Sequence, residues 1–561
     1  MSSSRRDLIK GAGSLAALVS VGSNSASSAD SCTAKVVADD TGIMPRMPLD
    51  EFVKQPDLVE ALRRGVAAMK KRKPSDPLSW FFQAAIHGVE LDPNELGHKY
   101  YKAAEAIDPD LAKVDRKYWN QCPHFGVNSA NFLPWHRAYT FHFEQILREH
   151  TGKTDFSLPY WNYKSPANRK FPEIFGREHL DGNPQNDAED NINPLFMKER
   201  DFYLTYYEHP LIPNMPILEL TDAVVDDATT MATDVFFGET EVEGLGGGIA
   251  DDNPGTRGLM ESRPHDNLHR VIGGIIPGGA LGPDGKETDA AGAMAVPKTA
   301  GFDPIFPIHH ANIDRLWAEW SCTPGKKWGK LPDPAWFAER PWYFFDTKGN
   351  CVNEPRSTYF DYRKLGIRFK YEEPDCTYLA LPDFPTVVAD AAAPKPQAKA
   401  PTRVATTSVR LAIGTVQPTT LDLSTPVRSS LATPMAAVKA QSLAQQQRKR
   451  LLLRLTIAAL DRLPTVGFDV HVSASPGAQL TRASRSFVGT VNLFVHAHHG
   501  NTVAQDFDVT RAVSGIDTAG LNSMRVLFVP FALTQSIESK APNLESPPLQ
   551  VRGIEFLEVD L

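Results

Sequence analysis

Cysteine is scarce. The chain of 561 residues has five, Cys32, Cys122, Cys322, Cys351 and Cys376. So few exclude a scaffold in which dense cross-linking replaces a hydrophobic core. An odd number also leaves at least one of them without a disulfide partner in the chain. Long apolar runs are missing as well: none approaches the roughly 18 residues that a membrane-spanning helix needs. A basic excess is absent, with 59 Lys and Arg against 67 Asp and Glu and a net charge of -8. That balance argues against a nucleic-acid partner, which would demand a positive surface. There is no internal repeat and no long low-complexity tract.

What is present suits two or three globular domains, with 42% hydrophobic and 9% aromatic residues. The first segment is different. Ser4-Arg5-Arg6-Asp7-Leu8-Ile9-Lys10 precedes a short, weakly apolar stretch from Gly11 to Gly22, and small residues crowd Ser23 to Ala29. Residues 1–29 therefore read as a twin-arginine export signal. The expected location is periplasmic or extracellular, in a bacterium. Residues 30–385 are expected to form a mainly helical catalytic region. Apolar spacing predicts helices over Ser79–Glu90, His136–Glu149 and Ile308–Trp320, with a short one at 263–272 in the glycine-dense stretch 240–300. The Ala/Pro/Lys-rich residues 386–404 read as a linker. Period-two alternation in Phe468-Asp469-Val470-His471-Val472, and again in Leu557, Val559 and Leu561, predicts a mostly β domain over 405–561. The fold class expected is α+β.

Six of sixteen histidines fall into two groups. His265 and His269 stand four apart and share one helix face. About forty residues on, Asp303-Pro304-Ile305-Phe306-Pro307-Ile308-His309-His310 supplies a third imidazole. The pair lacks the glutamate of a zinc protease. The other group is His87, His124 and His136. Imidazole suits copper, and two carboxylate-free three-histidine sites facing each other suit a pair of ions that handles dioxygen. Such ions would sit about 3.5–4 Å apart.

The runs Phe132-Leu133-Pro134-Trp135-His136-Arg137 with Glu144, His265-Asp266-Asn267-Leu268-His269-Arg270, and Asp303 to Trp317 resemble the copper A and copper B signatures of the tyrosinase and polyphenol oxidase family. Trp336 to Asp346 resembles the DWL region of its plant-type members. Phe468 to Val472, Ser486 to Gly489 and Arg552 to Phe556 resemble their KFDV C-terminal domain. The resemblance implies a four-helix bundle around two coppers, followed by a β-sandwich that shields the site. It implies His87, His124 and His136 as ligands of copper A, and His265, His269 and His310 as ligands of copper B. It also implies phenolic substrates and dioxygen, with oxidation of o-diphenols to o-quinones. Hydroxylation of monophenols stays open, as do a hemocyanin-like oxygen carrier and an o-aminophenol oxidase.

By the same resemblance Cys122 would carry a thioether to His124, and Glu261 would orient a water that takes the phenol proton. Asp266 stands where the family has an asparagine; it would hold that water, act as base, or only orient His265. Arg270 would steer acidic phenols at the entrance. Two departures stand out. His124 and His136 are twelve residues apart, wider than in the family, with Val127 between them. Thirteen residues before His310, where plant catechol oxidases have a phenylalanine gate, this chain has Pro297, which would leave the mouth over copper B more open. The side chain that plugs the site is not identified by any motif; the stretch Phe494 to His499 is a candidate only by its aromatic and histidine content.

Overall fold

The computed structural model describes residues 32, 34–37 and 42–560, apart from 94, 96, 124–128, 209–215, 239–243, 248–257, 282–286, 330, 372–375, 383–401, 441–448, 459–465, 476, 492, 494–501, 515, 517–519 and 537–547. The twin-arginine segment, His124, Val127, the linker as far as Pro401, and Phe494 to His499 lie outside the described residues.

Four helices carry the described histidines of the two groups, and a fifth packs behind them. They are α1 (Pro56–Lys70), α2 (Trp80–His87), α3 (Phe132–Thr151), α4 (Asp266–Gly273) and α5 (Phe306–Cys322). α1 opens with Pro56, whose missing N–H costs nothing in a first turn. It buries Leu58, Val59, Leu62, Val66 and Met69 along one face. Gly65 lets it approach α3: a Cβ there would lie 2.8 Å from Leu147 Cδ1. α2 is capped by Ser79, whose hydroxyl accepts from the Phe82 amide at 3.1 Å. α3 is buried nearly all round, as expected of a helix through the centre of a bundle. It stops at Gly152, whose φ of 72° provides the left-handed turn after the last helical residue.

α3 and α5 are tied by charge inside the core. Asp314 Oδ1 accepts from Arg137 Nε at 2.6 Å, and Asp314 Oδ2 from Arg46 Nη1 at 2.9 Å. Arg46 Nε also donates to Glu144 Oε2 at 2.8 Å, and Glu144 accepts from Arg148 and the Leu158 amide. The Arg137 guanidinium lies 3.5 Å from the centre of the Trp317 ring. All these charged groups are buried.

The C-terminal part is two antiparallel four-stranded sheets over one core. With β1 (Leu218–Leu220) in the catalytic half, the C-terminal strands are β2 (Thr402–Ile413), β3 (Thr419–Asp422), β4 (Lys449–Ile457), β5 (Val466–Ser473), β6 (Phe487–Thr490), β7 (Val503–Asp508), β8 (Arg525–Ala532), β9 (Thr534–Ser536) and β10 (Leu549–Asp560). One sheet has the order β7-β4-β10-β2, the other β6-β5-β8-β3. Leu451, Leu453 and Leu455 from the first meet Phe468, Val470, Val526 and Phe528 from the second in a shared core. β2 begins at Thr402, inside the stretch expected to be linker. A helix, α6 (Thr425–Ala440), interrupts the strands. The β-domain expectation missed it, although Val427, Leu431 and Met435 recur at helical spacing and are buried.

The two halves share a seam. β1 pairs antiparallel with β9, Leu218 opposite Ser536 and Leu220 opposite Thr534. Thr221 Oγ1 donates to the Ala532 carbonyl at 2.7 Å. Disulfides join Cys32 to Cys351 and Cys322 to Cys376, and Cys122 is buried and belongs to neither. Two disulfides fit an oxidising compartment, periplasmic or extracellular. Among the described residues no helix is long and apolar enough to cross a membrane.

Removing Asp314 would leave two buried guanidiniums without their shared acceptor. Asp314→Ala is expected to lower stability by about 3–5 kcal/mol, the usual cost of breaking a buried ion pair from one side. A shift of the urea unfolding midpoint to lower concentration, against an unchanged midpoint, decides it.

Candidate metal centre

The histidines arrive from four different helices. His87 is the last residue of α2, and α3 brings His136 in its second turn. His265 stands directly before α4, and His269 lies one turn further along it. His309 and His310 lie in the first turns of α5. Asp303 fixes the start of α5: its carboxylate accepts the Ile305 amide at 2.9 Å and forms a two-point pair with buried Arg200 at 2.6 and 2.8 Å.

Two clusters result. In one, His310 Nε2 lies 3.3 Å from His265 Nε2 and 3.2 Å from His269 Nε2. In the other, His87, Cys122 and His136 converge, with Cys122 Sγ 3.6 Å from His136 Nε2. The clusters touch: the His136 and His310 rings stack nearly parallel, 4.2 Å between centres and 6° between planes.

The outer nitrogens say what the inner ones offer. His265 Nδ1 meets Asp266 Oδ1 at 2.9 Å, His269 Nδ1 the Met294 carbonyl at 2.9 Å, and His136 Nδ1 the Phe132 carbonyl at 2.8 Å. Each oxygen can only accept, so each Nδ1 carries the proton and each Nε2 keeps its lone pair. In the first cluster the lone pairs of His265 and His269 therefore both face His310 Nε2, an arrangement that suits a shared cation. Burial pushes His136 and His269 down to about 3, and holds His87 and His310 well below their ordinary pKa. These four imidazoles are neutral at physiological pH, as metal ligation requires.

His179 makes an instructive contrast. Its Nδ1 meets Glu208 at 2.9 Å and its Nε2 meets Asp187 at 3.2 Å, and these bonds, that to Glu208 foremost, raise its pKa. Both its nitrogens are already taken up by carboxylates, although Glu178 also stands close by.

Asp266 Oδ1 meets His265 Nδ1, which is one of the roles expected of it. Arg270, expected at an open entrance, is buried and donates through Nη2 to the Val466 carbonyl of β5 at 2.6 Å. It can stand beside a histidine and meet the other domain because the sandwich lies directly over α4. Pro297, expected to leave the mouth open, is itself buried. It begins a short helix packed on the end of α2, where a Cβ on Gly88 would lie 2.8 Å from the Pro297 carbonyl. Glu261 is buried at the start of the turn that leads to His265. His124, and with it the partner expected for Cys122, is outside the described residues.

Phe306 and Phe132 were missed. The Phe306 ring lies 4.6 Å from that of His87 and 4.3 Å from that of His310; Phe132 lies 4.5 Å from His136 and 4.6 Å from His265. Each wedges between rings of the two clusters. Their signal was position: both fall within a turn of a histidine on the same helix. His309 also lies against the His265–His269–His310 cluster, its ring 5.3 Å from that of His265 and 5.0 Å from that of His269.

Comparison with known proteins now bears on this geometry. Residues 77–323 match the family model described as the common central domain of tyrosinase, and every described histidine of the two clusters lies inside that span. This stretch of the chain belongs to the tyrosinase family. A tyrosinase of Hahella sp. (strain CCB-MM4) is 33% identical over 287 residues, 48% of this chain and 52% of that protein. A chloroplastic polyphenol oxidase of Spinacia oleracea is 25% identical over 355 residues, 60% of this chain and 48% of its own length. The chain thus spans about half the length of these curated relatives. The solved structure of a latent apple tyrosinase aligns at a TM-score of 0.53 and 20% identity, covering 94% of this chain and 100% of that one, which shows a common fold. Membership of the tyrosinase family implies a dinuclear copper centre, and the carboxylate-free, neutral, converging imidazoles fit it.

Because Asp266 fixes the His265 ring, Asp266→Ala is expected to weaken copper binding at the His265–His269–His310 cluster about 10–100-fold. Competition against a chelator of known affinity measures this; an unchanged affinity would leave Asp266 with no orienting role.

Proposed function

We propose that the protein is an exported type-3 copper polyphenol oxidase that couples the oxidation of o-diphenols to reduction of dioxygen. Two catechols lose four electrons and four protons, and dioxygen becomes two waters. The observation that carries the reading is the stacking of His136 on His310, which sets two groups of neutral imidazoles face to face. Copper A falls to His87, His124 and His136; copper B to His265, His269 and His310. When bound, the coppers supply the electron transfer between phenol and dioxygen.

The chain's own residues do the rest. Phe306 and Phe132 keep water from between the rings. Asp266 holds His265 in the tautomer that turns its lone pair inward. With Asp266 so occupied, acceptance of the phenol proton is assigned to Glu261, and hydroxylation of monophenols, whose ordinary pKa is about 10, would depend on it. Arg270 becomes accessible to substrate only once the C-terminal sandwich moves. The division into residues 30–385, a linker at 386–404 and a shielding domain at 405–561 would make the enzyme latent until that happens. Export by the twin-arginine route, which carries folded proteins, suits a metal loaded before transit.

Oxygen uptake on adding catechol to the copper-loaded chain is expected, with the quinone appearing in step. His310→Ala should abolish it. Reversible oxygen binding without quinone would make the protein a carrier instead. Glu261→Gln is expected to depress turnover of a monophenol more than that of its diphenol; equal loss on both would remove Glu261 from proton transfer. Cutting within 391–402 and separating the fragments should raise catechol turnover, and a copper-loaded fragment no faster than the full chain would end the shielding assignment. A Cys122–His124 thioether should lower the intact mass by two hydrogens, about 2 Da, in a way that thiol reductants do not reverse. Free alkylation of Cys122 in the copper-loaded protein would contradict it.

A further inference from the structure

The segment that bears His265 and His269 is gripped at both ends by the C-terminal sandwich. On one side Arg263 lies 4.8 Å from the centre of the Phe487 ring and 3.8 Å from Asp469 Oδ1. On the other, Arg270 Nη2 donates to the Val466 carbonyl at 2.6 Å. The two histidines stand between these anchors, and both anchors are buried. Asp469 is the centre of the first contact. It also accepts from Arg482 Nε at 2.7 Å and Thr490 Oγ1 at 2.6 Å. Arg482 in turn crosses back to the catalytic half, to Asp226 Oδ2 at 3.1 Å and the Ala223 carbonyl at 2.9 Å. One carboxylate thus joins an arginine from each half.

Two of the other histidine helices need no such help. α3 and α5 have 20 and 17 residues and are pinned to each other through Asp314 and Arg137. α4 has 8 residues, and the chain before it leaves helical geometry at Arg263 (φ -153°, ψ 133°). A helix that short is unstable alone and takes its place from what packs on it. A cavity of about 60 Å³ at the same seam, lined by Ser262, Arg263, Phe487 and Thr490 among others, leaves that contact less than fully packed.

We propose that the sandwich positions the copper B histidines as well as covering them: Arg263 and Arg270 act through His265 and His269 as positioning residues, so that loosening the sandwich loosens one copper of the two. The proposal rests on the metal assignment above. If the released segment keeps its geometry only about a tenth of the time, apparent affinity at that copper falls about tenfold.

The test uses the full-length, copper-loaded chain and the double variant Asp469→Asn, Arg482→Gln, which alters no residue of the catalytic half. Copper per chain is followed over time against a chelator, and amide hydrogen exchange is read over 266–273 and over 306–322. The expected result is one copper of two leaving about tenfold faster, with exchange at 266–273 accelerated about as much and that at 306–322 unchanged. Copper loss and exchange at 266–273 both at the parental rate would overturn the proposal, and so would equal acceleration of both coppers. Should the double variant not fold, Asp469→Glu carries the same expectation at smaller size. Arg270→Lys, which can still donate to Val466, should hold copper better than Arg270→Ala; equal loss from the two counts against the proposal. Catechol turnover per dicopper centre reports shielding separately. A parent chain that binds no copper would defeat the metal assignment itself, while the exchange result would still judge the mechanical grip.

Discussion

The structure depends on a buried charge that cannot be moved. Asp314 is held between Arg46 and Arg137 inside the protein, where each ion is tolerable only at hydrogen-bonding distance from its partners. Arg137 directly follows His136, and Asp314 lies one turn beyond His310. Fixing the one pair therefore fixes the other. The parallel stacking of His136 on His310 follows from an ion pair that contains neither. Glu144 extends the constraint by tying Arg46 to Arg148 and to the Leu158 amide, so the N-terminal strap, α3 and the segment after it share one arrangement.

How much was legible in the sequence depended on distance along the chain. His265 and His269 could be paired because helical periodicity places residues four apart on one face, and the motifs around His136 and His310 are dense enough to be recognised. The sandwich was legible where one face of a strand meets the core, as in Phe468, Val470 and Val472. The helix from Thr425 to Ala440 escaped because Pro434 and its serines and threonines mask a sparse apolar stripe. Nothing local could have shown that Arg270 would meet a carbonyl 196 residues away, or that Cys32 would find Cys351. Pro297 was read as an open gate because a missing phenyl ring is visible in a sequence, whereas the neighbour that fills its space is not.

β5 shows how one strand serves two partners. Phe468, Val470 and Val472 enter the sandwich core, while Asp469 and His471 point the other way and are buried too. The face that a free-standing sandwich would leave to water is here spent on the catalytic half. The polar residues of the alternating pattern, which in an isolated domain mark solvent, mark an internal boundary instead. That boundary runs past α4 and thus past His265 and His269.

The two kinds of attachment along that boundary differ in what breaks them. Asp469 and its arginines are side-chain charges, undone when one partner is replaced. The β1–β9 ribbon is main-chain pairing, which no single side chain controls. Replacing Asp469 would therefore undo one edge of the contact before the other. The sandwich would swing about the ribbon like a door on its hinge, and the gap would open first beside Phe487 and Arg263, on the side where the copper B segment begins.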